Sequence, residues 1–229
     1  MKAGVGIFMK EPAPGQVKTR LLGSLSGKDA ARLYEAFLQD TVEKVRHLPC
    51  HARCLAYWPE EAREYAEGLA PHGFLLRAQE GKDLGERLIS FFDWYLAHGI
   101  ERAVVIGSDS PTLPGGLIEE ALEALYDVPA VLGPCYDGGY YLIGLSRPAP
   151  EAFQGIEWSS ERVFAQTMHG LRSAGMTFHV LDPWYDVDTP GSLAFLRQHV
   201  QALAETRSDL LPCFTYKVVQ ELGLRDDET

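Results

Sequence analysis

The sequence predicts an α/β fold: a single domain of three layers, α/β/α, around a mainly parallel but mixed sheet. Three observations carry that prediction. Short apolar runs rich in β-branched and aromatic residues alternate with segments whose apolar residues recur at helical spacing. The runs are mostly continuous in hydrophobicity, as strands buried on both faces require. The 229 residues contain no linker, repeat or low-complexity stretch, which suits one domain over 1–229 with fraying expected only at 225–229.

In chain order, the first strand is expected at 3–9. Ser26-x-x-Asp29 then signals a helix N-terminus, and Leu33, Phe37, Leu38, Val42 and Val45 form its apolar stripe. Strands are expected at 52–57 and 74–79, then a helix whose stripe is Leu84, Leu88, Ile89, Phe92 and Tyr95. Strands at 102–107 and 128–133 follow, with further candidates at 140–145 and 176–181. Between those two lies a third stripe, Val163, Phe164, Thr167, Met168 and Leu171. Thr189-Pro190 opens the fourth helix, with proline in the first turn.

Composition excludes some classes. The net charge of -11 argues against an extended nucleic-acid surface. No apolar run approaches the roughly 20 residues that cross a bilayer, and the first strand lacks a signal-peptide cleavage site. Cys50, Cys54, Cys135 and Cys213 have no framework spacing, so reduced thiols and a cytoplasmic location are expected. His47, Cys50, His51 and Cys54 are close in sequence, but the turn at Pro49 scatters them onto different faces and argues against zinc.

Ligands of such sheets bind beyond the carboxyl ends of the strands. The loop after the first strand, "KEPAPGQVKTRL", gathers Lys10, Lys18 and Arg20. Read as an exposed, extended segment, it turns Lys18 and Arg20 to the same side, which suits a di- or triphosphate. "GSDSPTLP" ends a strand in Asp109, placed to hold a hard cation, with a turn cap as the alternative. "WYDVDTPGSL" points Asp186 and Asp188 the same way, although Asp188 or Thr189 also suits a helix N-cap. In "GPCYDGGYYLIGL", Asp137, Gly138 and Gly139 suit a tight hairpin, and Tyr140 and Tyr141 suit stacking on a sugar or base. Asp83 reads as a cap box with Glu86.

These segments, with "QEGKDLGERL" and "WSSERVFAQT", occur in an order that resembles the nucleotide-diphospho-sugar transferase superfamily with the glycosyltransferase A fold. The likeness covers about nine-tenths of the chain. It is closest to the small bacterial glycosyltransferase-like family linked to radical-SAM and arsenosugar gene neighbourhoods. It extends more distantly to 2-phospholactate and molybdenum-cofactor guanylyltransferases. The resemblance implies a divalent-metal-dependent transferase using Mg²⁺ or Mn²⁺, a nucleotide or nucleotide-sugar, and a small-molecule acceptor. Glycosyl transfer is the first reading, nucleotidyl transfer the alternative, and a non-catalytic nucleotide-binding module the third. It implies Asp109 and Asp188 at the metal, with Asp186 a further ligand candidate and Asp137 among the catalytic acids. Lys10, Lys18, Arg20, Asp83 and Ser108 are implied at the nucleotide. Gly138, Gly139, Tyr140, Tyr141, Trp158 and Ser159 are implied at the sugar or acceptor. One departure stands out: the usual Asp-x-Asp is Ser108-Asp109-Ser110 here, which makes Asp188 the candidate for the missing ligand.

Overall fold

Each apolar run becomes a strand. The computed structural model describes residues 1–223, so the fraying expected at 225–229 lies outside the described residues. The strands are β1 (Ala3–Lys10), β2 (Ala52–Trp58), β3 (Phe74–Ala78), β4 (Arg102–Ile106), β5 (Ala130–Pro134), β6 (Tyr140–Leu145) and β7 (Phe178–Val180). They form one sheet in the order β3-β2-β1-β4-β6-β5-β7. Only β6 runs against its neighbours, paired antiparallel with both β4 and β5. β7 is shorter than the expected 176–181 because it is an edge strand that pairs with β5 alone.

The four expected helices are α1 (Gly27–His47), α3 (Leu84–Ala97), α5 (Val163–Ser173) and α6 (Pro190–Thr206). The sequence reading passed over α2 (Arg63–Leu69), α4 (Gly115–Ala124) and α7 (Cys213–Glu221). α4 opens on Pro114-Gly115-Gly116 without a side-chain cap. α7 borrows its cap: Asp40 of α1 accepts the backbone N–H of Phe214 at 3.1 Å and of Thr215 at 2.7 Å. Such a long-range cap has no local sequence signature.

The alternation of β1 sorts the two cores. Val5, Ile7 and Met9 face Phe37, Leu38 and Val42 of α1 and Leu196 of α6. Phe8 faces the other way, toward Leu88, Phe91, Phe92 and Tyr95 of α3. Gly4 and Gly6 share that second face. A Cβ on Gly6 would lie 2.3 Å from the Phe91 ring, and one on Gly4 would lie 2.8 Å from the Tyr95 ring. Two absent side chains thus let α3 lay its aromatics flat on the strand, and each buried ring contributes roughly 2 kcal/mol.

The four residues weighed for zinc diverge as expected. His47 Nε2 pairs with Glu43, His51 Nδ1 accepts the Ala3 N–H, and Cys54 is fully buried under α3. All four cysteines are free thiols. Among the described residues, no helix is long and apolar enough to cross a membrane.

Candidate active site

At the carboxyl ends of β1 and β4 the sheet opens into a cavity of about 580 Å³. Its first wall is the loop after β1. Gly15 (φ 76) and Lys18 (φ 50) both adopt left-handed backbone, and a 3₁₀ turn at Thr19–Leu21 follows. This corrects the extended path expected there. The left-handed residue separates the two cations: Arg20 stays exposed while Lys18 turns inward and is 8% exposed.

The Lys18 ammonium lies between two carboxylates. Its Nζ donates to Asp109 Oδ1 at 2.5 Å and to Asp188 Oδ1 at 2.7 Å. The rings of Tyr34 and Phe37 lie 5.6 and 5.5 Å from the same nitrogen. Burial works against this ammonium, but Asp109 and Asp188 outweigh it and hold Lys18 above the ordinary lysine range. Asp109 and Asp188 are thus brought to one point although they lie 79 positions apart in sequence.

Local structure explains the placement of each acid. Asp109 follows β4, and its carbonyl accepts the Val187 N–H at 2.9 Å. The preceding Ser108 is buried and bonded to the Tyr34 hydroxyl at 2.7 Å. The segment bearing Asp186 and Asp188 lies alongside the end of β5 through a parallel bridge between Cys135 and Trp184. Val187 is fully buried between the two acids, which leaves both on the accessible side. Asp188 is not the helix cap: Thr189 accepts the Ser192 N–H, and Ser192 returns the bond as a capping box.

Beside this pair lies a second acidic group. Ligating atoms of Cys135, Asp137 and Asp186 come within 4.8 Å of one another. Burial, then the charges of Asp137, Asp188 and Asp109, push the Asp186 carboxyl up to about 6. Burial, followed by the charge of Asp186, also raises the Cys135 thiol. Asp137 itself organises the hairpin, since its Oδ1 accepts the Gly139 N–H at 2.8 Å. Gly138 has φ 89, and a Cβ there would lie 2.1 Å from the Glu161 carbonyl oxygen, so the segment before α5 packs directly on the turn.

Of the residues anticipated from sequence, Lys10, Lys18, Arg20, Ser108, Asp109 and Asp188 line the cavity. Tyr140, Tyr141 and Ser159 also border it. Asp83, Asp137, Gly138, Gly139, Trp158 and Asp186 lie outside its walls. Asp83 is the N-cap of α3, accepting the Glu86 N–H at 2.9 Å, so its carboxylate already has a partner. Tyr141 corrects the pairing of two stacking tyrosines. Adjacent strand residues face opposite ways, and its ring packs over Gly133 with the hydroxyl donating to the Asp182 carbonyl. Trp158 packs against the α3-side core near Gly85.

Among the wall residues that escaped the sequence reading, Tyr34, Gln79 and Arg87 have the best-defined polar or stacking contacts. Tyr34 sits within the α1 stripe and looks like core. Gln79 donates its side-chain amide to the carbonyls of Met9 at 3.1 Å and Ala56 at 2.8 Å, tying together the ends of three strands. Arg87 stacks its guanidinium 3.8 Å from the Trp58 ring centre and donates Nε–H to the Gly81 carbonyl at 3.1 Å. The only sequence signal for Arg87 is a cation beside the apolar stripe of α3, one turn from its start.

Comparison with known proteins adds the following. A search of curated protein sequences gives no match. A candidate nucleotide-diphospho-sugar transferase from Desulfovibrio desulfuricans is 33% identical, covers 98% of this chain and 96% of its own, and superposes with a TM-score of 0.87. A cytidylyltransferase from Leptospira borgpetersenii is 13% identical with a TM-score of 0.61, over 100% of this chain and 98% of its own. A CMP:2-keto-3-deoxy-manno-octonic acid synthetase, solved with CTP, is 12% identical with a TM-score of 0.58, over 88% and 99% of the two chains. The fold is that of the nucleotide-diphospho-sugar transferases. Residues 41–160 match the profile of the proteins conserved in bacteria described as DUF2064, and on that match and the Desulfovibrio likeness the chain belongs to this family.

Proposed function

We propose that the cavity binds the phosphate chain of a nucleotide substrate, with a divalent cation between Asp109 and Asp188, and that the protein is a nucleotide-using transferase. The observation that carries this reading is Lys18 itself. Two carboxylate oxygens converge on one point, 2.5 and 2.7 Å from the Lys18 ammonium, and offer the hard donors a divalent cation takes once that ammonium turns to a phosphate oxygen. Mg²⁺ or Mn²⁺ fits that donor set, and when bound it would neutralise charge on the phosphate oxygens of the leaving group.

The chain's own residues supply the rest. Lys10, Arg20 and Arg87 give the cavity cations for an anionic ligand. Asp186, outside the cavity wall, adds to the negative field that draws a cation toward Asp109 and Asp188, and burial together with the neighbouring acids raises its carboxyl to about 6. The Desulfovibrio relative supports an NDP-sugar as donor, so glycosyl transfer to a small-molecule acceptor is the leading reading. Nucleotidyl transfer is the second. It is favoured by Ser108, which is tied to Tyr34 where glycosyltransferases of this fold carry an acid, so that the two candidate ligands come from different segments.

The test is a panel of NDP-sugars and nucleoside triphosphates offered with Mg²⁺ or Mn²⁺. Release of a nucleoside diphosphate indicates glycosyl transfer, and release of pyrophosphate indicates nucleotidyl transfer. Failure of every nucleotide to bind, with or without metal, would refute the proposal.

A further inference from the structure

Behind the two carboxylates runs a chain of hydrogen bonds. Trp184 Nε1 donates to Thr112 Oγ1 at 3.2 Å, and Thr112 donates onward to the Tyr185 hydroxyl at 2.8 Å. The Tyr185 hydroxyl and His199 Nδ1 are 2.9 Å apart. An indole N–H can only donate, so Thr112 Oγ1 accepts from Trp184 and keeps its own proton for the Tyr185 hydroxyl. His199 Nδ1 closes the chain on the Tyr185 hydroxyl, the roles at that last bond following the imidazole tautomer. Thr112 and Tyr185 are both buried, and Tyr185 is wedged against Phe195 at 4.8 Å between ring centres.

The members of this chain are placed with a purpose that simple packing does not require. Thr112 lies three residues after Asp109, and Tyr185 three residues before Asp188. The same two segments are also joined by the backbone bond from Val187 N to the Asp109 carbonyl at 2.9 Å. Two connections side by side hold the segments in one register, whereas a single one would leave a pivot. His199 anchors the assembly to α6, the helix that begins directly after Asp188.

We infer that Thr112, Tyr185 and His199 are positioning residues that set the separation of Asp109 and Asp188, so that cation affinity depends on hydroxyls outside the cavity. This rests on the cation reading given above. Groups supporting metal ligands from behind typically change affinity by 10–100-fold when removed.

The test is Mn²⁺ titration of the full chain, following free Mn²⁺ by electron paramagnetic resonance, with thermal melting in parallel. Tyr185→Phe and Thr112→Val keep shape and remove one hydroxyl each. Both are expected to weaken Mn²⁺ binding about tenfold. Thr112→Ser restores the hydroxyl and should restore the affinity. His199→Phe, at a half-buried surface position, removes the terminal partner of Tyr185 with little risk to folding and should weaken Mn²⁺ several-fold. Folded variants that melt earlier but bind Mn²⁺ as tightly as the native chain would overturn the inference alone. A native chain that binds no Mn²⁺ would overturn both the cation reading and the inference.

Discussion

Replacing Lys18 by methionine removes the ammonium between Asp109 and Asp188 while nearly preserving the length of the side chain. In the native protein that side chain is 3% exposed, against 45% and 35% for the two acids. Without it, two carboxylates roughly 5 Å apart repel by about 3 kcal/mol at an effective dielectric near 20. Partial exposure of both acids screens this to about 2 kcal/mol. The lost charge-assisted hydrogen bonds add to the deficit, and the relieved desolvation of a buried ammonium offsets part of it. A net loss of about 2 kcal/mol is expected, or roughly 4 °C in melting temperature for a chain of this size. The assay is thermal unfolding in the presence of a chelator and again in millimolar Mn²⁺. Metal should restore much of the variant's stability, because it returns positive charge to the same cleft. Read as an exposed loop cation, Lys18 would contribute little to folding; burial reverses that expectation. Equal melting of variant and native protein in chelator would refute the electrostatic argument.

Other outcomes follow from the same geometry. Asp188→Asn should still fold, since Thr189 and Ser192 cap α6, but melt lower because the buried Lys18 ammonium loses one of its two carboxylate partners, and it should lose Mg²⁺-dependent nucleotide binding in a calorimetric titration. Arg87→Ala should weaken nucleotide binding about tenfold, equivalent to 1.4 kcal/mol, with Arg87→Lys failing to rescue it because a stacked fork is lost. Gly138→Ala should cost about 3 kcal/mol in urea unfolding, combining a left-handed backbone with contact against the Glu161 carbonyl. Lys44 donates to the Pro111 carbonyl, and burial lowers its ammonium to about 8 despite the opposing pull of Asp40. Because the unfolded chain binds this proton more tightly, the native protein should gain stability relative to Lys44→Met as pH rises from about 8 to about 10.5, by up to about 3 kcal/mol.

The sheet was legible because burial on both faces writes itself as continuous apolar runs, and the helices with local caps at Ser26, Asp83 and Thr189 were legible for the same local reason. α7 was not, since its cap comes from Asp40, more than 170 residues earlier. Within the site, Asp109 and Asp188 stood out because acids at the ends of apolar runs are conspicuous. The meeting of Lys18 with both was illegible: it depends on a left-handed residue in a loop where extended backbone is the ordinary expectation. Arg87 and Gln79 were missed because their roles come from aromatic stacking and from strand-end carbonyls, both set by the third dimension. Asp83 shows the opposite case, where the local cap reading was the better guide.

The reversed strand β6 has a consequence for how this molecule can diversify. A parallel strand in its place would need a crossover helix, which would seal that flank of the sheet with a rigid layer. The hairpin spares the helix, and the chain after β6 instead crosses the α3 side of the sheet, where Ala152 and Phe153 are buried, to bring Ser159 into the cavity wall. That flank is therefore made of a turn and an irregular segment, anchored to each other where Phe164 N–H meets the Gly138 carbonyl at 2.8 Å. Between Ser146 and Ser160, Ala149, Ala152 and Phe153 are buried against α3, so exchange without cost to the core is confined to exposed positions such as Gln154 and Glu157. One side of the cavity is held by strand register, and the other can vary only at the exposed positions of a segment pinned by its own core residues.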